Sequence, residues 1–233
     1  MKQSYVILTG SKNNAGDFLI KHRAKKLFEQ IRPDREIIDF NAWESINQEK
    51  LEIINQSNAL ILMGGPALQK NMYPGIYKLP ADLDEIKTPI VTMGVGWKSI
   101  NGSWHDTYHY PLNQSSCKLL DRIKSDGVTS SVRDFHTLNV LQAKGYDNYL
   151  MTGCPAYYDL AHLREPFHFP DKIEKIAFSL GVSFINSFSM EKQMKDLILH
   201  LKEEFKGKTF EVVFHHGLNP DVFSKSYVGK ANH

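Results

Sequence analysis

Residues 5–20 read YVILTGSKNNAGDFLI, and this stretch contains the transition from strand to helix that defines the fold. The apolar run Tyr5–Thr9 predicts a buried strand, and the small and polar residues after it predict a turn into a helix over residues 18–30. The same alternation of a short apolar run with a longer helical segment recurs along the chain. Runs rich in Val, Ile and Leu, without alternating polar residues, are typical of a parallel sheet covered by helices on both faces.

The rest of the chain extends this pattern and then interrupts it once. Pro166 and Pro170 mark a linker over residues 164–171, after which a strand, a helix and a strand follow. We therefore predict an α/β protein with a parallel-sheet domain over residues 1–163 and a partial second α/β domain over residues 172–233. The further predicted strands are 36–40, 59–63, 89–93, 127–132, 148–152, 173–180 and 210–214, and the further predicted helices are 48–56, 111–125, 134–144 and 190–205.

Composition narrows the classes of function. The 233 residues include 28 Lys and Arg against 26 Asp and Glu, and these charges are interspersed, so no nucleic-acid partner is predicted. No apolar window approaches the roughly 18 residues that a membrane span needs. The two cysteines, Cys117 and Cys154, form no disulfide framework and suit a reducing compartment. We expect a cytoplasmic protein without a transmembrane segment, and assembly into a homo-oligomer is left open.

The turns after the predicted strands are the places to look for a ligand, because ligands of open parallel sheets bind beyond the carboxyl ends of the strands. Asn14, Gly16 and Asp17 open the first helix, where N–H groups and the helix dipole favour an anion. Asp17 can equally be a first-turn residue that complements the dipole. The paired glycines Gly64 and Gly65 either let the backbone approach a ligand or form an ordinary tight turn.

Two further turns combine glycines or a cation with the start of a helix. Gly94, Gly96 and Trp97 can line a pocket for a sugar or a phosphate, and ordinary packing is the alternative for Trp97. Arg133 falls where the fifth strand meets a helix, and a guanidinium there can bind a carboxylate or phosphate through two hydrogen bonds. The alternative for Arg133 is a structural pair with Asp134, which fits as the N-cap of the helix.

Three histidines lie in or near loops that follow strands: His105, His136 and His215. Each is a candidate for substrate contact, and a general-acid role or an ordinary polar loop role are the alternatives. We predict no metal site, because the adjacent His215 and His216 would point to opposite faces of a strand. Cys154 has no second cysteine nearby and fits a small buried residue better than a nucleophile.

Taken together with a fifth turn, Thr152–Pro155, these four turns resemble one family, the polysaccharide pyruvyl transferases. The resemblance covers residues 5 to about 160 and is looser from residue 173 onward. It rests on five pieces in the family's order, which are Asn14–Asp17 opening the first helix, Ala59–Gly65, Pro89–Gly96, Ser131–Asp134 before a helix, and Thr152–Pro155.

The resemblance implies two facing Rossmann-like domains, as in B-type glycosyltransferases. It also implies a transferase that moves the enolpyruvyl group of phosphoenolpyruvate onto two hydroxyls of a hexose. The product is a pyruvate ketal on a surface polysaccharide or its lipid-linked precursor, in exopolysaccharide and cell-envelope biosynthesis. By the family's pattern, Asp17 and Arg133 are the catalytic-site residues, Arg133 for the charges of the donor and Asp17 for sugar binding or proton transfer. Phosphoenolpyruvate is a substrate, and neither a cofactor nor a metal is required.

Two alternatives remain open at this point. One is a glycosyltransferase with a nucleotide-sugar donor on the same scaffold, and the other is a truncated or non-catalytic family member. The second arises because the family carries an Arg-x-His element late in its second domain, whereas this chain has no arginine after Arg164.

Overall fold

The computed structural model describes residues 3–10, 14–98, 106–180 and 188–214. Contacts divide the chain into two compact units. The first comprises Met1–Lys12 and Gly16–Leu163, and the second comprises Asn13–Ala15 and Arg164–His233. Each unit is an α/β arrangement whose strands run parallel.

The first unit contains a six-stranded parallel sheet with helices packed on it, so the predicted α/β class with a Rossmann-like sheet is confirmed. Its strands are β1 (Ser4–Thr9), β2 (Glu36–Asn41), β3 (Ala59–Leu68), β4 (Ile90–Trp97), β5 (Ser130–Val132) and β6 (Tyr149–Met151). Its helices are α1 (Ala15–Ile31), α2 (Gln48–Gln56), α3 (Asp106–His109), α4 (Gln114–Ser125) and α5 (Phe135–Ala143), with short helical turns at Met72–Ile76, Leu83–Glu85 and Pro155–Tyr157.

The strand order β2-β1-β3-β4-β5-β6 creates a switch point between β1 and β3. The chain leaves β1 to form β2 on one side and then crosses back to form β3 on the other. Beyond the carboxyl ends of two such strands the connections diverge and leave a crevice, which is where open α/β sheets bind ligands. The topology therefore directs attention to the residues that follow β1 and β3.

Both faces of the sheet are buried, which explains the unbroken apolar runs. In β3, Leu60 and Leu62 belong to one core cluster, whereas Ile61 and Met63 belong to the other. Because successive side chains of a strand point to opposite faces, both sets of side chains in such a strand are mainly apolar. Helix α1 covers the second face through Ile20 and Ala24.

The predicted ends of the third and fourth strands, at residues 63 and 93, are wrong. Both strands continue through their glycines, β3 to residue 68 and β4 to residue 97, with Gly65 paired to Val95 and a register irregularity between Gly65 and Leu68. The reason is a close approach of the two backbones: a Cβ added to Gly64 would lie 2.2 Å from the carbonyl oxygen of Gly94. Glycine inside a strand marks such an approach as well as a turn.

Serine hydroxyls add hydrogen bonds between β4 and β5, which share a single registered pair, Val95 and Val132. The Thr92 N–H donates to the Ser130 hydroxyl at 3.0 Å, and the Gly94 N–H donates to the Ser131 hydroxyl at 3.0 Å. These side chains satisfy backbone donors that a regular ladder would otherwise pair.

The second unit contains the strand, helix and strand that the sequence predicts after the linker. They are β7 (Lys175–Leu180), α6 (Phe188–Glu204) and β8 (Thr209–Phe214), and the two strands pair in parallel. None of the helices among the described residues has the length and apolar character that a transmembrane span requires.

Candidate functional site

Asp17 lies in the first turn of α1, directly beyond the carboxyl end of β1. Its carboxylate faces β3: a Cβ added to Gly65 would lie 3.8 Å from Asp17 Oδ1. Gly65 has a φ of 132°, a conformation that a residue with a side chain rarely adopts. Asn14 precedes the helix and Gly16 lies in its first turn, and both are partly buried. Asp17 is therefore positioned at the switch point between β1 and β3.

A polar cavity of about 180 Å³ opens beside Asp17, lined by Thr9, Asp17, Lys21, Asp39 and Asn41. Asp39 is held from two sides. The Thr9 hydroxyl donates to Asp39 Oδ1 at 2.5 Å, and the Lys21 ammonium lies 2.7 Å from Asp39 Oδ2. The carboxylate is thus fixed in one orientation with about a quarter of its side chain exposed.

Sequence reasoning missed four of these five residues. The signals were the four-residue spacing of Asp17 and Lys21, which places them on one helix face, and a carboxylate inside the apolar strand 36–40. Neither signal alone distinguishes a binding residue from an ordinary solvated charge.

Arg133 follows the last residue of β5 and precedes α5, as predicted. Its backbone N–H donates to the Val95 carbonyl at 3.0 Å, so the residue is anchored to β4. Its side chain lies against Gly96: a Cβ added there would lie 1.9 Å from Arg133 Nε and 2.5 Å from Cζ. The guanidinium thus occupies the space that a side chain at position 96 would fill, and about a third of it remains exposed.

Asp134 forms shorter contacts with the first turn of α5 than with Arg133. Its Oδ1 accepts the Thr137 N–H at 2.7 Å and its Oδ2 accepts the Thr137 hydroxyl at 3.0 Å, which confirms the predicted N-cap. The Thr137 hydroxyl in turn accepts the N–H of Trp97 at 2.9 Å. The pair between Arg133 Nε and Asp134 Oδ2 is long, at 3.7 Å, and within the described part of the chain no other acid pairs with Arg133.

Trp97, the last residue of β4, packs against His136 of α5. Their ring centroids lie 3.8 Å apart, and the His136 side chain is almost fully buried. His136 Nδ1 lies 3.3 Å from the Thr107 hydroxyl, which joins α5 to the short helix α3. This arrangement gives both residues a packing role, and substrate contact by either stays a prediction.

Gly94 is enclosed by the turn that follows β6. It has a φ of 65°, and a Cβ added there would lie 2.3 Å from Cδ of Pro155. Gly64 and Gly94 therefore bring β3, β4 and the turn after β6 together, and ligand contact by these glycines stays a prediction. His105 and His215 lie outside the described residues. Over the described ranges, no group of three or more His, Cys, Asp or Glu side chains is placed to hold a metal ion.

Comparison with known proteins bears on what these groups do. Residues 14–222 match the family model for polysaccharide pyruvyl transferase. The match begins just before α1 and ends beyond β8, so it includes both Asp17 and Arg133. No curated protein matches the chain, and no solved structure does.

Proposed function

The chain belongs to the polysaccharide pyruvyl transferase family, and we propose that it transfers the enolpyruvyl group of phosphoenolpyruvate onto two hydroxyls of a hexose. The acceptor is a surface polysaccharide or its lipid-linked precursor, and the product is a cyclic pyruvate ketal. One observation carries the proposal: a carboxylate, Asp17, and a guanidinium, Arg133, lie at the same carboxyl edge of one parallel sheet. Gly65, beside Asp17, pairs with Val95, and the next residue, Gly96, lies against Arg133.

Arg133 is the proposed binding group for the donor. Phosphoenolpyruvate carries a carboxylate and a phosphate, and a guanidinium binds either group through two parallel hydrogen bonds. The partial exposure of Arg133 and its long pair with Asp134 leave this geometry accessible.

The chemistry requires proton transfer at both substrates. One hydroxyl attacks C2 of phosphoenolpyruvate while the methylene carbon gains a proton, and the C2–phosphate bond then breaks as the second hydroxyl closes the ketal. The two hydroxyl protons end on the new methyl group and on the released phosphate. Asp17 is the proposed group that binds a hydroxyl and accepts its proton, a role in which a positioned carboxylate contributes typically 10²- to 10⁴-fold.

The direct test is to incubate the chain with phosphoenolpyruvate and the methyl glycosides of galactose and mannose. The expected result is phosphate release that depends on the sugar, together with a glycoside product whose mass has increased by pyruvate less water. Phosphate release that is independent of sugar would contradict the proposal. A nucleotide sugar that raises the Tm where phosphoenolpyruvate does not would favour a glycosyltransferase, since a ligand at 100 times its Kd adds about 2.7 kcal/mol.

Asp17→Asn is expected to lower kcat by about 10²-fold or more while phosphoenolpyruvate binding is retained. The substitution keeps the size of the side chain and removes its ability to accept a proton. Stopped assays of ketal formation and calorimetry with phosphoenolpyruvate separate the two effects. Asp34→Asn is the matched control, because Asp34 lies on the exposed connection between α1 and β2, at the opposite end of the sheet. An unchanged kcat in Asp17→Asn would remove Asp17 from the chemistry.

Gly96→Ala is expected to weaken phosphoenolpyruvate binding about as much as removing the Arg133 side chain does. The added methyl group occupies the position of Arg133 Nε and forces the guanidinium away. Calorimetry with phosphoenolpyruvate measures the loss. Gly145→Ala is the matched control: its Cβ meets open space but its φ of 85° is unfavourable, so it lowers stability and leaves binding unchanged. Wild-type affinity in Gly96→Ala would show that this position of the guanidinium is not the binding position.

A further inference from the structure

The charged residues that line the cavity beyond β1 and β2 suit a neutral sugar better than the anionic phosphoenolpyruvate. Among the described residues that line it, two carboxylates, Asp17 and Asp39, outnumber one ammonium, Lys21, so this part of the lining is net negative at neutral pH. A net negative lining repels phosphoenolpyruvate, whose carboxylate and phosphate are both anionic. It is compatible with a neutral polyol, whose hydroxyls donate to carboxylates.

The Asp39 carboxylate can accept further hydrogen bonds besides the two contacts that it already makes. Each carboxylate has about four lone-pair positions, and the Thr9 hydroxyl and the Lys21 ammonium use one on each oxygen. Since these two contacts orient the carboxylate, its remaining lone-pair positions are directed before any ligand arrives, which reduces the entropic cost of binding.

An amide donor lies beside this carboxylate. Asn41 is two residues after Asp39 in β2, so the two side chains project from the same face of the strand. Its Oδ1 accepts the Trp43 N–H at 3.0 Å, which directs the amide group. A carboxylate acceptor next to an amide donor matches neighbouring sugar hydroxyls, each of which is both donor and acceptor.

We propose that Asp39 and Asn41 bind neighbouring hydroxyls of the acceptor hexose, and that Lys21 is a positioning residue that orients Asp39. The inference rests on the proposed function and extends it, because it assigns the acceptor to this cavity and the donor to Arg133. The cavity of about 180 Å³ accommodates much more than one water molecule, which takes about 30 Å³ in the liquid. It therefore admits one side of a sugar ring.

The kinetic test compares Asp39→Ala and Asp39→Asn with the wild type. Losing a hydrogen bond to a charged group raises the KM for the glycoside acceptor about 10- to 100-fold in Asp39→Ala, and the KM for phosphoenolpyruvate stays unchanged. Lys21→Met gives a smaller rise, since the Thr9 hydroxyl still holds Asp39. Glu44→Gln is the matched control, because Glu44 forms an equally short ion pair with Lys50 outside the cavity. Unchanged acceptor KM in both Asp39 variants overturns the inference.

A binding readout separates this inference from the proposed function. Saturation-transfer NMR with methyl galactoside and methyl mannoside needs no turnover. Glycoside binding that is lost in Asp39→Asn supports the subsite even if no ketal forms, in which case the proposed function fails alone. Ketal formation with wild-type acceptor binding in Asp39→Asn means that the inference fails alone. Absence of glycoside binding and of ketal formation in the wild type overturns both.

Discussion

Arg133→Ala is expected to lower the rate of ketal formation by about 10²- to 10³-fold, the range found when a donor aimed at developing charge is removed. The guanidinium is the proposed binding group for the phosphate or carboxylate of phosphoenolpyruvate. Alanine removes it, whereas the backbone N–H of residue 133 still donates to Val95. The strand and the following helix therefore stay in place. Initial rates of sugar-dependent phosphate release and calorimetry with phosphoenolpyruvate measure the effect.

Two companion variants make this expectation specific. Arg133→Lys keeps the charge and loses the planar fork, so its rate falls between those of the wild type and alanine. Arg32→Ala removes an exposed guanidinium that pairs with Asp34, remote from the carboxyl edge, and leaves the rate unchanged. The assignment of the donor is wrong if Arg133→Ala binds phosphoenolpyruvate with wild-type affinity.

Gly64→Ala is expected to lower the free energy of unfolding by about 3 kcal/mol, at the upper end of what overpacking costs. Its Cβ would lie 2.2 Å from the Gly94 carbonyl oxygen and 2.8 Å from the Gly94 carbonyl carbon. Both are backbone atoms of β4, so relief requires β3 and β4 to separate. The midpoint of urea unfolding, followed by circular dichroism, measures the loss.

Gly10→Ala is the matched control for this substitution. Gly10 follows β1, does not have a positive φ, and its added Cβ would meet no atom of the described residues closer than 3.4 Å. Its expected effect is within about 0.5 kcal/mol of the wild type. Equal stabilities of the two variants would mean that β3 and β4 do not approach as closely as the structure indicates.

Local patterns were sufficient for part of the fold. Helix α2 runs from residue 48 to residue 56 as predicted, because its apolar spacing and the Asn47 cap are contained in the segment itself. The continuation of β3 through Gly64 and of β4 through Gly94 was not predictable in the same way. Those glycines resemble strand ends in the sequence, and only the neighbouring strand shows why a side chain is excluded.

The residues of the candidate site also differ in whether local sequence identifies them. Asp17 and Arg133 could be named from the sequence because each stands where a strand passes into a helix, a position that the chain order alone identifies. Asp39 and Lys21 could not, because their contact depends on the pairing of Ile7 with Asp39 between β1 and β2 and on the rotation of α1 above them.

The contact between Gly96 and Arg133 also constrains how this protein can change. While arginine occupies position 133, any side chain at position 96 collides with it, so the two positions are epistatic. Once Arg133 has been replaced by a small residue, the space opens and alanine at position 96 carries little further penalty. Which residues position 96 tolerates without displacing its neighbour therefore depends on the residue at position 133.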